Sequence, residues 1–498
     1  MVFQDTAPPQ PQPLDPSLIK KLILVASIAA PVQYGWALQL SLLTPFTQLL
    51  GLSHKWTSFV WLCGPISGLI VQPIAGHFSD HCTSRFGRRR PFIVAGAILL
   101  SLGVLLIGFA ADIGRAIGDS LAHGMKPRAV AMFVIGFWLL DISNNLIQGP
   151  CRALLADISE DNDAMVTIGN ALFSFFMAVG NIIGYAAGSY YKLYNIMPFT
   201  KTEACDVYCA NLKTCFLLAI LFTTCTIMLV VYFIKEEQLD PSWLEYEEES
   251  SFYDEKPPPF YKQIAIAVRS QSGPIRILYI VTALNWIGFF PFLLYDTDWM
   301  GKEVYGGNVG GSAEELMLYD HGVRAGASGL MLYVMTMGTV SLFMEQLIRY
   351  FGSLRRVWGI GNFILAFCMG LTVLITKMAN SAREAAVMTQ GTSLVPPPSG
   401  VTISSFLLFA ILGLPQAVTY SIPFALASIY SKDTSTGQGL ALGVLNLAIV
   451  IPQMGVALVS GPFDSLFGGS NLPAFLLGGA AAVIGGIAAI KLLPDDDE

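Results

Sequence analysis

Charge is what this chain lacks. Only 13% of its 498 residues are Asp, Glu, Lys or Arg, against about a quarter in soluble domains. Hydrophobic residues make up 54%, and the mean hydropathy is +0.58. That balance excludes a soluble globular protein and leaves a polytopic membrane protein. The net charge of -7 and the scatter of Lys and Arg through short loops exclude a nucleic-acid binder, which needs a clustered basic face. No glycine-rich nucleotide loop, metal-ligand cluster or nucleophile–base pair stands out, so an enzyme reading fails and no cofactor is expected. The 8 cysteines form no zinc pattern, since Cys205 and Cys209 have neither a second pair nor histidines nearby. Cys63, Cys151, Cys225 and Cys368 lie in or beside apolar runs, as small packing residues do.

What is present in quantity is apolar runs. About 20 such residues span a bilayer as a helix, and that ruler yields twelve candidate spans. Six lie at 20–49, 56–77, 91–111, 128–150, 164–190 and 212–234, and six at 275–296, 322–348, 354–377, 401–430, 438–461 and 472–493. The expected fold is therefore all-α, a six-helix bundle over 20–234 and another over 274–493. Between them 235–273 is a polar linker containing "EYEEES" and "KPPPF". Residues 1–19 and 494–498 are expected as tails. "VASIAAP" imitates a signal-peptidase site, but the run stays apolar to Leu50, so the first span is expected to act as an uncleaved signal. Lys20, Lys21, the "RFGRRR" loop (Arg85 to Arg90), Arg349, Arg355 and Arg356 share one side only if both termini are cytoplasmic. The loop "TEACDVYCANLKTC" then faces out, where a Cys205–Cys209 or Cys205–Cys215 bridge is expected. Two halves joined by a cytoplasmic linker are the layout of two-half transporters. The 47 glycines suit close, sliding helix contacts.

Against this apolar background a few charges stand out. Asp141 lies about 13 residues into span four, near mid-membrane. A carboxylate there costs at least ~2.5–3.5 kcal/mol on insertion scales. Asn144, Asn145 and Gln148 follow it on one helical face, which should line a cavity rather than lipid. An acid that can be neutral or charged at working pH is what proton coupling needs. Arg152 shares that face but lies ~16 Å further along the axis, past Gly149–Pro150, so it cannot touch Asp141 on a straight helix. It is expected near the inner end of the pathway, engaging Asp157 or a partner helix. A hydroxyl-rich ligand needs amides and aromatic faces. The spans offer Gln33, Tyr34, Trp36, Gln39, Asn170, Ser174, Asn181, Tyr185, Asn285, Trp286, Asn446 and Gln453. Gln39, Asn144, Asn145, Asn181 and Asn446 rank first, because buried amides need partners, with Tyr34, Trp36 and Trp286 as aromatic candidates. Asp296, Asp298, Lys302 and Glu303 are expected as an outer gate at the end of span seven, with Arg324 opening span eight.

"GHFSDHCTSRFGRRRPF" (Gly76 to Phe92) resembles the signature loop of the major facilitator superfamily, with four extra residues between Asp80 and Gly87. In that form it is similar to the plant sucrose–proton symporters. "WALQLSLLTPF", "WLCGPISGLIVQPIAGH", "QGPCRALLAD", "FFMAVGNIIGYAAGSY", "DTDWMG" and "GQGLALGVLNLAIVIPQ" resemble the same family, over roughly residues 20–493. The chain departs from it at Lys302, where the family usually has Arg, and lysine lacks the two-pronged donor. The resemblance implies proton-coupled uptake of sucrose, with Asp141 as proton acceptor, Arg152 essential to coupling and His54 in outer access. Asp80 with Arg88 to Arg90 is expected to stabilise one gate state. The expected partners are sucrose, protons and the bilayer, the expected state a monomer, and the expected site the plasma membrane, because "ACDVYCANLKTC" resembles members found there. An uncoupled facilitator would need no mid-membrane acid. A sugar sensor would need a long cytoplasmic segment, and here the linker is short and the end is only "LLPDDDE".

Overall fold

The computed structural model describes residues 16–39, 46, 50, 63–120, 125–159, 162–190, 192–205, 207–236, 238–239, 273–308, 312–390, 394–431, 438–466 and 470–494. His54 and most of the 235–273 linker lie outside the described residues. The first half contains α1 (Pro16–Ala26), α2 (Ala29–Leu38), α3 (Cys63–Asp80), α4 (Arg90–Gly108), α5 (Ala110–Ile117), α6 (Pro127–Ile158), α7 (Asp163–Ser189) and α8 (Val207–Phe233). The second contains α9 (Gly273–Trp299), α10 (Ala313–Leu342), α11 (Met344–Phe351), α12 (Leu354–Gln390), α13 (Ser399–Ser431), α14 (Gln438–Leu466) and α15 (Leu472–Leu492). Among the described residues eleven helical segments, α1 and α2 counting as one, are long and apolar enough to cross a membrane; α3, carrying Gln72, His77, Ser79 and Asp80, is not one of them.

Local chemistry sets the ends and breaks. α1 and α2 are one span interrupted at Ser27–Ile28, because Pro31 brings no N–H to the Ser27 carbonyl and its ring crowds it. Proline occupies the first positions of α4, α6 and α15. Asn162 caps α7 by accepting from the Met165 N–H at 3.2 Å, and Ser312 with Glu315 forms a capping box on α10.

Several expected boundaries move, all for one reason. Hydropathy marks the part of a helix that lipid touches, and a helix continues into water wherever caps and solvent satisfy it. α10 starts at Ala313 rather than 322, which puts Arg324 inside the helix and not at its start. α12 runs to Gln390, so 379–390 is helix and not loop. α9 continues through Asp296 and Asp298 into a π-turn over Met300–Val304.

Within the first half α4 packs on α6 and α2 on α7; within the second, α12 and α9 pack on α15 and α10 on α13. Between halves α3 lies along α14, and α7 along α10 and α13. The α3–α14 contact is backbone to backbone. A Cβ on Gly76 would overlap the Gly439 carbonyl, and one on Gly443 would meet the Pro73 backbone. Ser341 Oγ donates to Ser174 Oγ at 2.8 Å across the α7–α10 contact.

Candidate functional site

Asp141 is 2% exposed, on the stretch of α6 that faces α3. Its Oδ2 accepts from the Cys63 thiol at 3.3 Å, and its Oδ1 has no hydrogen-bond partner among the described residues. Gly64 leaves room beside it: a Cβ there would lie 3.7 Å from both Oδ2 and the Trp36 ring. Gln39 also flanks the carboxyl. The Gln39 amide lies against the Asp141 carboxyl, and neither it nor the buried Asn144 amide makes a well-aligned hydrogen bond among the described residues. A buried amide without a partner costs roughly 1–3 kcal/mol. These atoms are the ones a polyhydroxylated ligand would satisfy.

The other amides are fixed in helix contacts. Asn145 donates to Ser67 Oγ and to the Asp141 carbonyl, each at 2.9 Å, and accepts from Gln72 at 2.8 Å. Asn446 donates to the Gly68 carbonyl at 2.9 Å, joining the two halves. Asn285 donates to Asn362 at 2.9 Å. Tyr34 packs edge-on against Phe222, and its hydroxyl donates to the Cys215 carbonyl at 3.1 Å. Asn145, Asn446 and Tyr34, expected at the sugar, thus hold carbonyl and side-chain partners on their own and neighbouring helices. Asn181 is half-buried on α7, one turn from Tyr185 on the same face.

The second half supplies aromatic groups. Trp286 is buried, its ring centroid lies 5.9 Å from that of Tyr420, and its indole N–H has no partner among the described residues. The Tyr333 hydroxyl and Gln416 Oε1 are also without partners there. Asp296, 4% exposed, lies within electrostatic reach of Tyr185 and Tyr333. Asp296, expected at an outer gate, is thus buried near these two tyrosines, apart from the exposed Lys302. The helix continues past Asp296 to Trp299, and the side chain is buried there. Asp298 and Glu303 do meet at the helix end, on Asn471: Asp298 accepts from Asn471 Nδ2 and Tyr319 OH, each at 2.8 Å, and Glu303 accepts from the Asn471 N–H at 2.7 Å and Ser470 Oγ at 2.8 Å. Arg383, overlooked in the sequence, caps the π-turn by donating to the Glu303 and Val304 carbonyls. Lys302 is exposed.

Arg152 is 4% exposed and stands between the halves. It donates to Asn170 Oδ1 at 2.8 Å, and its guanidinium lies 4.1 Å from the Phe173 ring centroid and 3.6 Å from that of Phe424 on α13. The expected partner Asp157 is engaged elsewhere, and Asp141 is not brought to Arg152; what it meets is the partner helix.

The residues of the basic loop form one network. Arg89, fully buried, pairs with Asp80 at 2.6 Å and with Asp157 at 2.9 Å, and Arg88 pairs with Asp157 at 2.6 Å. Asp80 also accepts from the N–H groups of Gly439 at 3.0 Å and Leu440 at 2.9 Å, capping α14 of the other half. Gly87, at φ 100, makes the turn that aims these arginines, a conformation glycine adopts without strain. Glu236 completes the network from the residues just after α8, accepting from the Arg89 and Arg90 N–H groups at 2.8 and 3.1 Å. Burial pushes its carboxyl above the ordinary range against the pull of those two donors. Glu236 was hidden in sequence among the charges of a linker. The other end of the molecule carries the bridge between Cys205 and Cys209, while Cys215 is free and buried. Lys213, fully buried, pairs with Asp112 and donates to the Thr200 carbonyl at 3.1 Å, tying that loop to the α4–α5 end.

The profile of the MFS/sugar transport protein family matches residues 24–293. The sucrose transport protein SUC4 of Arabidopsis thaliana is 50% identical over 475 residues, 95% of this chain and 90% of that protein. The sucrose transport protein SUT2 of Oryza sativa subsp. japonica is 47% identical over 480 residues, 96% of this chain and 93% of that one. Among solved structures, the E. coli fucose:proton symporter FucP superposes with a TM-score of 0.61 at 13% identity, covering 95% of this chain and 97% of that one. At that identity the likeness speaks for the fold alone.

Proposed function

Because this chain belongs to the plant sucrose transport proteins of the major facilitator superfamily, we propose that it carries sucrose across the membrane in symport with protons, by alternating access, with Asp141 as the proton acceptor. The observation that carries the reading is the Asp141 carboxyl, buried near mid-depth with one oxygen unpartnered among the described residues beside the unpartnered amides of Gln39 and Asn144. Protonated, that carboxyl donates to a sugar hydroxyl; ionised, it accepts from one. Loading sugar and proton in one pocket links the two. The indole N–H of Trp286, the Tyr333 hydroxyl and Gln416 offer further contacts from the opposite half.

The positive-inside rule places the basic loops and both termini in the cytoplasm. The Asp80–Arg89–Asp157 network is then an inner latch, holding α14 against the first half while the other end admits sugar. The chain acts as a monomer in the plasma membrane. The test is sucrose uptake into proteoliposomes with and without an imposed pH gradient. Accumulation above the external concentration only with the gradient supports coupling. Equal uptake under both conditions removes it and leaves a facilitator.

A further inference from the structure

A groove of about 1300 Å³ opens on the outside of the bundle between α4 and α8, away from the transport site. Its lining is largely apolar, with the large side chains Val94, Ile98, Leu102 and Met228 and the small ones Ala97, Ser101, Thr224 and Cys225. Those small residues are why it is concave: two helices that carry large residues at these positions would fill the space between them. From Arg90 to Leu102 it runs about 18 Å at 1.5 Å per residue, close to the ~15 Å depth of one leaflet's hydrocarbon.

Two cations stand at its basic-loop end, Arg90 and Lys235. Lys235 is exposed. Arg90 reaches the Val231 carbonyl with one guanidinium nitrogen, while its buried Nε has no partner among the described residues. Among the described residues, Glu236 accepts from the Arg89 and Arg90 N–H groups and Asp157 pairs with Arg88 and Arg89. The mouth presents the Arg90 and Lys235 side chains to an apolar slot of leaflet depth.

We infer that this groove binds an anionic phospholipid, an acyl chain lying along Val94, Ile98 and Leu102 and the phosphate seated between Arg90 and Lys235. A zwitterionic lipid brings its own ammonium to the same two cations. A second copy of the chain docking symmetrically would set those cations against each other. Basic residues at a membrane surface favour anionic lipid by about 1 kcal/mol each, so the preference over neutral lipid is several-fold to tens-fold.

The test is native mass spectrometry of the full chain, delipidated in detergent and offered phosphatidylglycerol and phosphatidylcholine in equal amounts. Wild type is expected to retain the anionic lipid preferentially. Lys235→Gln, at an exposed position that leaves the fold intact, is expected to cut that preference about fivefold. Cys225→Trp, which fills the groove at an exposed position, is expected to remove the bound lipid. Equal retention of both lipids by wild type, unchanged preference in Lys235→Gln, or a dimer that Cys225→Trp dissolves would each overturn the assignment.

Discussion

A carboxyl can couple two fluxes only if it changes charge during the cycle, and Asp141 is the residue on which the proposed cycle turns. Asp141→Asn is nearly isosteric and cannot release a proton. It is expected to fold and to let sucrose equilibrate, while gradient-driven accumulation collapses to the external concentration. Accumulation at the wild-type level in uptake assays would remove Asp141 from the coupling role. Arg152 makes a different case. Its planar cation packs on the rings of Phe173 and Phe424 and donates to Asn170, so its contacts span both halves. Arg152→Lys keeps the charge and loses the fork and the stacking, a contact worth about 0.5–2 kcal/mol. The variant is expected to bind sucrose with near-normal affinity and to transport it poorly. Equilibrium binding alongside sucrose-induced proton current checks this, and an unchanged current would reduce Arg152 to a topological charge. Both residues were legible in the sequence because they break an apolar run. Their neighbours were not, since Cys63 and Phe424 lie far from them along the chain and resemble ordinary packing.

Helices here are held by what their contact faces omit. α3 and α14 meet through Gly76, Gly439 and Gly443, where no side chain stands between the backbones. Gly76→Val is expected to force them apart, at a cost of about 1–3 kcal/mol for overpacking, and to favour the state in which the basic-loop end is open. Spin labels on the two halves at that end should move apart, and an unchanged distance distribution would show that the contact has slack. The sequence made the glycines visible as a class. It could not say which of the 47 face another backbone, because that depends on how two distant helices cross.

At the scale of the whole molecule, the halves are joined by a carboxylate. Asp80 binds Arg89 of its own half and the exposed N–H groups at the start of α14 in the other. Asp80→Asn keeps an acceptor oxygen and drops the charge, losing up to ~2 kcal/mol at a helix N-terminus, equivalent to roughly a tenfold change or more in an opening equilibrium. Amides at the start of α14 are expected to exchange hydrogen several-fold to tenfold faster in the variant. Wild-type protection there would mean that the latch is held by the glycine contact alone. The sequence by itself determined the class of this protein and the identity of its exceptional charges. Each of these follows from the cost of placing polar groups in hydrocarbon, and that cost is local to a stretch of chain. Only the tertiary structure decided which amides lie unpartnered beside Asp141, that Asp296 is buried, and that Glu236 and Gly439 join the hydrogen-bond network of Asp80 and Arg89. Those outcomes depend on which helices become neighbours, and a hydrogen bond between residues 359 positions apart, as between Gly439 and Asp80, leaves no periodic trace in either segment.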